Sequence, residues 1–103
     1  MDMYILNSEG EPVRCHDYDV YGAWMQENYR LRLTESEGCR VSTVFLGLVH
    51  RFDNTSEPIL WETMVFGGPH DQHQERYTSQ AEAIAGHDRV VQMVSTETPE
   101  DER

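Results

Sequence analysis

A chain of 103 residues supports one domain with a modest core, burying somewhat over ~60% of its unfolded surface. Hydrophobic residues at 38% and aromatics at 10% exclude wholesale disorder. Eight basic residues against nineteen acids give a formal net charge of −11, a field that repels nucleic-acid backbones and anionic lipid and favours basic partners.

The N-terminus MDMYILNSEGEP has no basic leader region, and the longest apolar run, Val44 to Val49, is far short of the ~20 residues of a membrane span. Two cysteines, Cys15 and Cys39, are too few for a disulfide scaffold and read as reduced thiols in a cytoplasmic protein. In chain order, Met3 to Leu6 is a short apolar strand, Asn7-Ser8-Glu9-Gly10 a turn, and Glu11 to Arg14 a returning strand. Asp17 caps a helix to about Asn28, with Val20, Tyr21, Trp24 and Met25 on one face and Gly22 weakening it by ~1 kcal/mol. Tyr29 to Thr34 alternates as a half-buried strand. After a turn at 35–38 comes the strongest strand, Val41 to His50, whose partner Ile59 to Phe66 follows a polar loop and Pro58. Residues 69–74 read as a wet loop. Ser79-Gln80-Ala81-Glu82 is a capping box opening a helix with Ile84, His87, Val91 and Val94 on one face. Residues 1–94 form the domain, and STETPEDER, 95–103, reads as a disordered acidic tail.

This order predicts an α+β fold: a three-strand antiparallel meander plus short N-terminal strands, with two helices on one face. A symmetric loop at 53–56 sets His50 opposite Ile59 and Gly47 opposite Glu62. Val44, Leu46, Leu48 and His50 then share a face with Ile59, Trp61, Thr63 and Val65. Phe45, Gly47 and Val49 share the other with Leu60, Glu62, Met64 and Phe66. Both faces are apolar while two helices cover only one, which predicts a homodimer through the sheet. A one-residue slip would exchange every assignment relative to the partner strand.

In that register Glu62 is a carboxylate among apolar side chains opposite a glycine. Such an acid is either a general base or ligand anchor, or is paired with Arg76, Arg32 or His87, the commoner outcome. His50, His70, His73, His87, Asp71 and the Cys15-His16 pair are the ligand-type residues, but no HExxH or CxxC motif supports them, so no metal is expected. Cys39 beside Arg40 lacks a fixed histidine, and Ser42 and Thr43 lack a nucleophile elbow. Gly67-Gly68 is no phosphate loop, and all eight basic residues are arginine, so no nucleotide cofactor is expected.

Three segments, VSTVFLGLVHRF, PILWETMVFGG and ERYTSQAEAIAGH, resemble a group of small uncharacterised bacteriophage and bacterial proteins. That group shows Asp-His where Val49-His50 stands here. The resemblance covers residues 41–87 and implies a phage or prophage accessory protein with no established reaction. Its polar members select a candidate pocket of His50, Glu62, Thr63, Arg76, Tyr77 and His87. The expected function is non-enzymatic protein–protein contact by a homodimer with a basic protein partner. In its sharp form the acidic surface imitates DNA and inhibits a host nucleic-acid-binding or defence protein. The alternative is a small enzyme or ligand-binding domain built on that pocket.

Overall fold

A computed structural model describes residues 2–36, 38–49 and 57–96. Its elements are β1 Asp2–Leu6, β2 Pro12–Cys15, α1 Tyr18–Asn28, β3 Arg30–Ser36, β4 Cys39–Phe45, β5 Leu48–Val49, β6 Trp61–Phe66, β7 Gln74–Tyr77 and α2 Gln80–Thr96. The fold is α+β, with two antiparallel sheets ordered β2-β1-β5 and β3-β4-β6-β7.

The N-terminal hairpin is closed by Asn7, whose side-chain oxygen accepts from the Glu9 and Glu11 N–H groups at 2.9 and 3.0 Å, as asparagine does in turns. Asp17 caps α1 by accepting from the Asp19 and Val20 N–H groups. Tyr21, Trp24 and Met25 are half-buried, whereas Val20 is exposed and no residue of α1 is fully buried. The helices pack mainly on different sheets, α1 on β1 and β2 and α2 on the larger one, while Trp24 of α1 also reaches Phe45 on the face that α2 covers.

The Val41–His50 strand is also corrected. It leaves the sheet after Phe45, and Leu48–Val49 pairs with Asp2 and Met3 of β1 instead. Gly47 makes this exit possible. Its φ of +75° suits a residue without a Cβ, and an added Cβ would sit 3.0 Å from the Tyr21 ring and 3.1 Å from the Tyr4 carbonyl oxygen. The hairpin connection is therefore asymmetric. Val44 faces Glu62 and Phe45 faces Trp61, a displacement of an odd number of residues from the symmetric pairing. That odd displacement exchanges the faces of β4 against β6, as the period of two demands.

The segment 74–77, for which no strand was expected, is an edge strand antiparallel to β6. It follows a tight turn in which Asp71 Oδ1 accepts from Gly67 N–H at 2.6 Å and Val65 N–H donates to the His73 carbonyl. Gly67 at φ +89° is required there, since a Cβ would lie 2.6 Å from the Gly38 carbonyl oxygen. At the last helix, Ser79 Oγ accepts from Glu82 N–H at 3.1 Å, as the capping box predicts. Glu82 reaches back one residue further than expected, to the Thr78 N–H and hydroxyl. The helix runs through Ser95 and Thr96, which the sequence pattern assigns to the tail; residues 97–103 lie outside the described residues.

Two clusters make the core. Tyr4, Phe45, Val49, Leu60, Trp61, Tyr77 and Ala83 form one; Val41, Val65, Val90 and Val94 form the other. Trp24, Phe45 and Trp61 stack edge-to-face at centroid distances of 5.5 and 5.2 Å, adding ~0.5–1.5 kcal/mol per pair beyond burial. The buried stripe of α2 is Ala83, His87, Val90 and Val94, rotated from the predicted Ile84, His87, Val91 and Val94. Among the described residues, no helix is long and apolar enough to cross a membrane.

Candidate functional site

The larger sheet presents two faces of different chemistry. On the α2 face, β4 and β6 place Thr43 directly opposite Thr63, both fully buried. Their hydroxyls hydrogen-bond to each other. Thr43 Oγ1 meets His87 Nδ1 at 2.7 Å, and Thr34 Oγ1 meets His87 Nε2 at 2.9 Å. At the other end Tyr77 OH donates to Thr63 Oγ1 at 3.0 Å. Glu75 Oε1 lies 3.4 Å from that phenol and accepts from Arg89 Nη1 and Nη2 at 2.8 and 2.7 Å, while Glu75 Oε2 meets His73 Nε2 at 2.9 Å. A hydrogen-bonded chain thus runs across the sheet beneath the helix.

His87 is 1% exposed. Burial lowers its pKa, the nearby Arg32 guanidinium lowers it further, and Asp88 opposes both. The imidazole is therefore neutral at physiological pH, and each hydroxyl carries one proton. With Tyr77 donating to Thr63, the whole chain is satisfied when Thr63 donates to Thr43, Thr43 to Nδ1 and Nε2–H to Thr34. Every buried hydroxyl and ring nitrogen in it has a partner, so the chain docks α2 without an orphaned polar group. Burial likewise raises the Tyr77 pKa; Thr63 and Arg89 lower it, and Glu75 raises it. Gly86 makes room, since a Cβ there would lie 2.3 Å from the Tyr77 oxygen.

The opposite face carries three cross-strand rows: Glu35–Arg40–Phe66, Leu33–Ser42–Met64–Gln74, and Arg30–Val44–Glu62–Arg76. Leu33 and Phe66 are 40% and 43% exposed, and Val44 and Met64 half-buried. Ion pairs bracket this apolar stripe, Arg40 Nε to Glu35 Oε2 at 3.3 Å and Arg76 Nε to Glu62 Oε2 at 3.0 Å. Among the described residues no helix packs across it.

The six residues of the predicted pocket are therefore divided. Thr63, Tyr77 and His87 belong to the buried chain beneath α2. Glu62 and Arg76 pair on the opposite face. His50 lies outside the described residues. Glu62 faces Val44 rather than Gly47, so the picture of an acid among apolar groups is corrected in favour of the arginine-paired reading. Arg40, the cation next to Cys39 in the sequence, pairs with Glu35 at 3.3 Å. Among the described residues no three His, Cys, Asp or Glu side chains stand close enough to share a metal ion.

The residues that sequence reasoning missed are Thr34, Thr43, Glu75 and Arg89. His73, Glu75 and Tyr77 alternate in the sequence, and that period of two was the signal for β7. The chain also forms a cleft of about 410 Å³ between β7 and α2, lined by Glu75, Arg76, Tyr77, Glu82, Ala85, Gly86 and Arg89. A second hollow, of about 550 Å³ and equally open, lies at the turn end of β3 and β4, beside Cys39 and Phe66.

Comparison of the chain with protein-family models, with curated proteins and with solved structures finds no match.

Proposed function

We propose that this is a phage-type accessory protein that works by protein–protein contact and does so as a homodimer joined across the open face of its larger sheet. The observation that carries the reading is the stripe of Leu33, Val44, Met64 and Phe66, bracketed by the Glu35–Arg40 and Glu62–Arg76 ion pairs. An apolar centre with a polar rim is how protein interfaces are built. Charge supports a second copy as the occupant. By register this face carries Arg30, Arg40 and Arg76 against Glu35 and Glu62, in a chain whose net charge is −11. Two copies meeting there escape most of the repulsion that other faces would impose.

The rest of the acidic surface is read as the contact for a basic protein. Glu9, Glu11, Asp17, Asp19 and Glu27 are all exposed on the N-terminal part. Its one arginine, Arg14, is engaged by Asp2 at 3.1 Å. Exposed Val13, Tyr18 and Val20 supply apolar contact area among these acids. A cytoplasmic inhibitor that imitates DNA toward a nucleic-acid-binding or defence protein is the sharp form of this reading. The enzyme or small-ligand alternative is weaker, because Glu62 and Arg76 lie across the sheet from Thr63, Tyr77 and His87.

Capture from a bacterial lysate tests the acidic contact. The full chain is expected to retain basic proteins that competing duplex DNA or raised salt releases. A variant carrying Asp17→Asn, Asp19→Asn and Glu27→Gln is expected to retain fewer. Capture indifferent to DNA, salt and neutralisation overturns it.

A further inference from the structure

We infer that the groove between β7 and α2 is a docking site for an extended basic segment of a partner protein, which adds to the larger sheet as a fifth strand. This rests on the reading that the chain contacts a basic protein.

β7 is an edge strand. Val65 N–H donates to the His73 carbonyl, and Thr63↔Glu75 and Trp61↔Tyr77 follow at steps of two. The antiparallel alternation then turns the N–H and C=O groups of Gln74 and Arg76 away from β6. Such outward-facing groups template a further strand. Beside them α2 lays Glu82, Ala85, Gly86 and Arg89 along one face, at i, i+3, i+4 and i+7. Gly86 is buried against Tyr77, and the cleft of about 410 Å³ opens beside that contact along exposed Ala85.

The dimensions agree. Seven helical residues from Glu82 to Arg89 rise about 10 Å, at ~1.5 Å each. Three extended residues cover about the same length, at ~3.3 Å each. An added strand directs alternate side chains into the groove, where a small one fits over Ala85.

Charge selects the occupant. Glu75 is engaged by Arg89 and His73. Glu82 takes its hydrogen bonds from the neutral N–H and hydroxyl of Thr78, and among the described residues no arginine reaches it. It is the groove's open acid, in a chain of net charge −11, and a Lys or Arg side chain on the incoming strand would complete it.

The test uses the full chain, labelled with 15N, and a short peptide alternating arginine and valine. Binding is expected to shift the amide resonances of Gln74, Arg76, Ala85 and Gly86. N-methylation of alternate peptide amides should weaken binding about tenfold or more, the equivalent of one or more main-chain hydrogen bonds. Glu82→Gln should weaken it several-fold while leaving the spectrum of the free chain in place. Shifts confined to the N-terminal acids and indifferent to N-methylation overturn the groove and leave the basic-partner reading standing. No binding at low ionic strength overturns both.

Discussion

His87 shows what one buried side chain does to the whole molecule. Its pKa is held below the ordinary value of 6.5, by burial first and by Arg32 second. Below about pH 6.5 the unfolded chain takes up a proton that the folded chain refuses, so stability rises with pH across this window. The contribution of His87 is complete above that value and is lost as pH falls toward the lowered folded value. The urea midpoint should therefore drop between pH 7.5 and 5.5, and the drop should shrink in His87→Gln. Equal drops in the two proteins would contradict the assignment. Gly86 carries a second prediction. Alanine there gains ~1 kcal/mol of helix propensity, yet its Cβ would lie 2.3 Å from the Tyr77 oxygen and 2.4 Å from a ring carbon. Net destabilisation of about 1–3 kcal/mol is expected from overpacking in denaturant titrations of Gly86→Ala, and a stabilised variant would contradict it. At this scale the sequence marked Thr63, Tyr77 and His87 as worth naming but could not assemble them. Their partners Thr34, Thr43 and Glu75 come from three other strand positions, and only the register brings them together.

At the scale of elements, local chemistry was legible and long-range pairing was not. Asp17 and Ser79 announce their helices because a cap is a bond to a residue two or three positions away. The β4–β6 register depends on where the chain leaves β4, and that exit is set by Tyr4 and Tyr21 packing at Gly47, contacts 43 and 26 residues away. Gly47→Ala tests the point. A positive φ costs an alanine ~1–2 kcal/mol, and the Tyr21 ring 3.0 Å away adds to it. Thermal unfolding should register a loss of at least that size. An unchanged midpoint would mean that the exit does not depend on the glycine. The missed strand β7 has a similar cause. Gly-Gly-Pro followed by polar residues reads as a loop, and the turn that folds 67–73 back onto β6 is held by Asp71 and by Val65 N–H.

At the scale of the whole molecule, charge is distributed rather than uniform. Arg32, Arg40, Arg76 and Arg89 each meet a carboxylate on or beside the larger sheet. Among the described residues, no arginine pairs with Glu9, Glu11, Asp17, Asp19 or Glu27 of the N-terminal part. Composition alone told of the excess, and only the fold says where it is offset. The inference that two helices cannot cover an apolar sheet on both faces came from the hydrophobic pattern. It led to an open face even though the assumed register was displaced, because Glu62, Met64 and Phe66 share a face in either register. The proposed homodimer joins two copies of the chain through this face. Light scattering of the full chain over a concentration series should report twice the 12.0 kDa chain mass, and Phe66→Glu should report 12.0 kDa. A wild-type mass of 12.0 kDa at every concentration would contradict it.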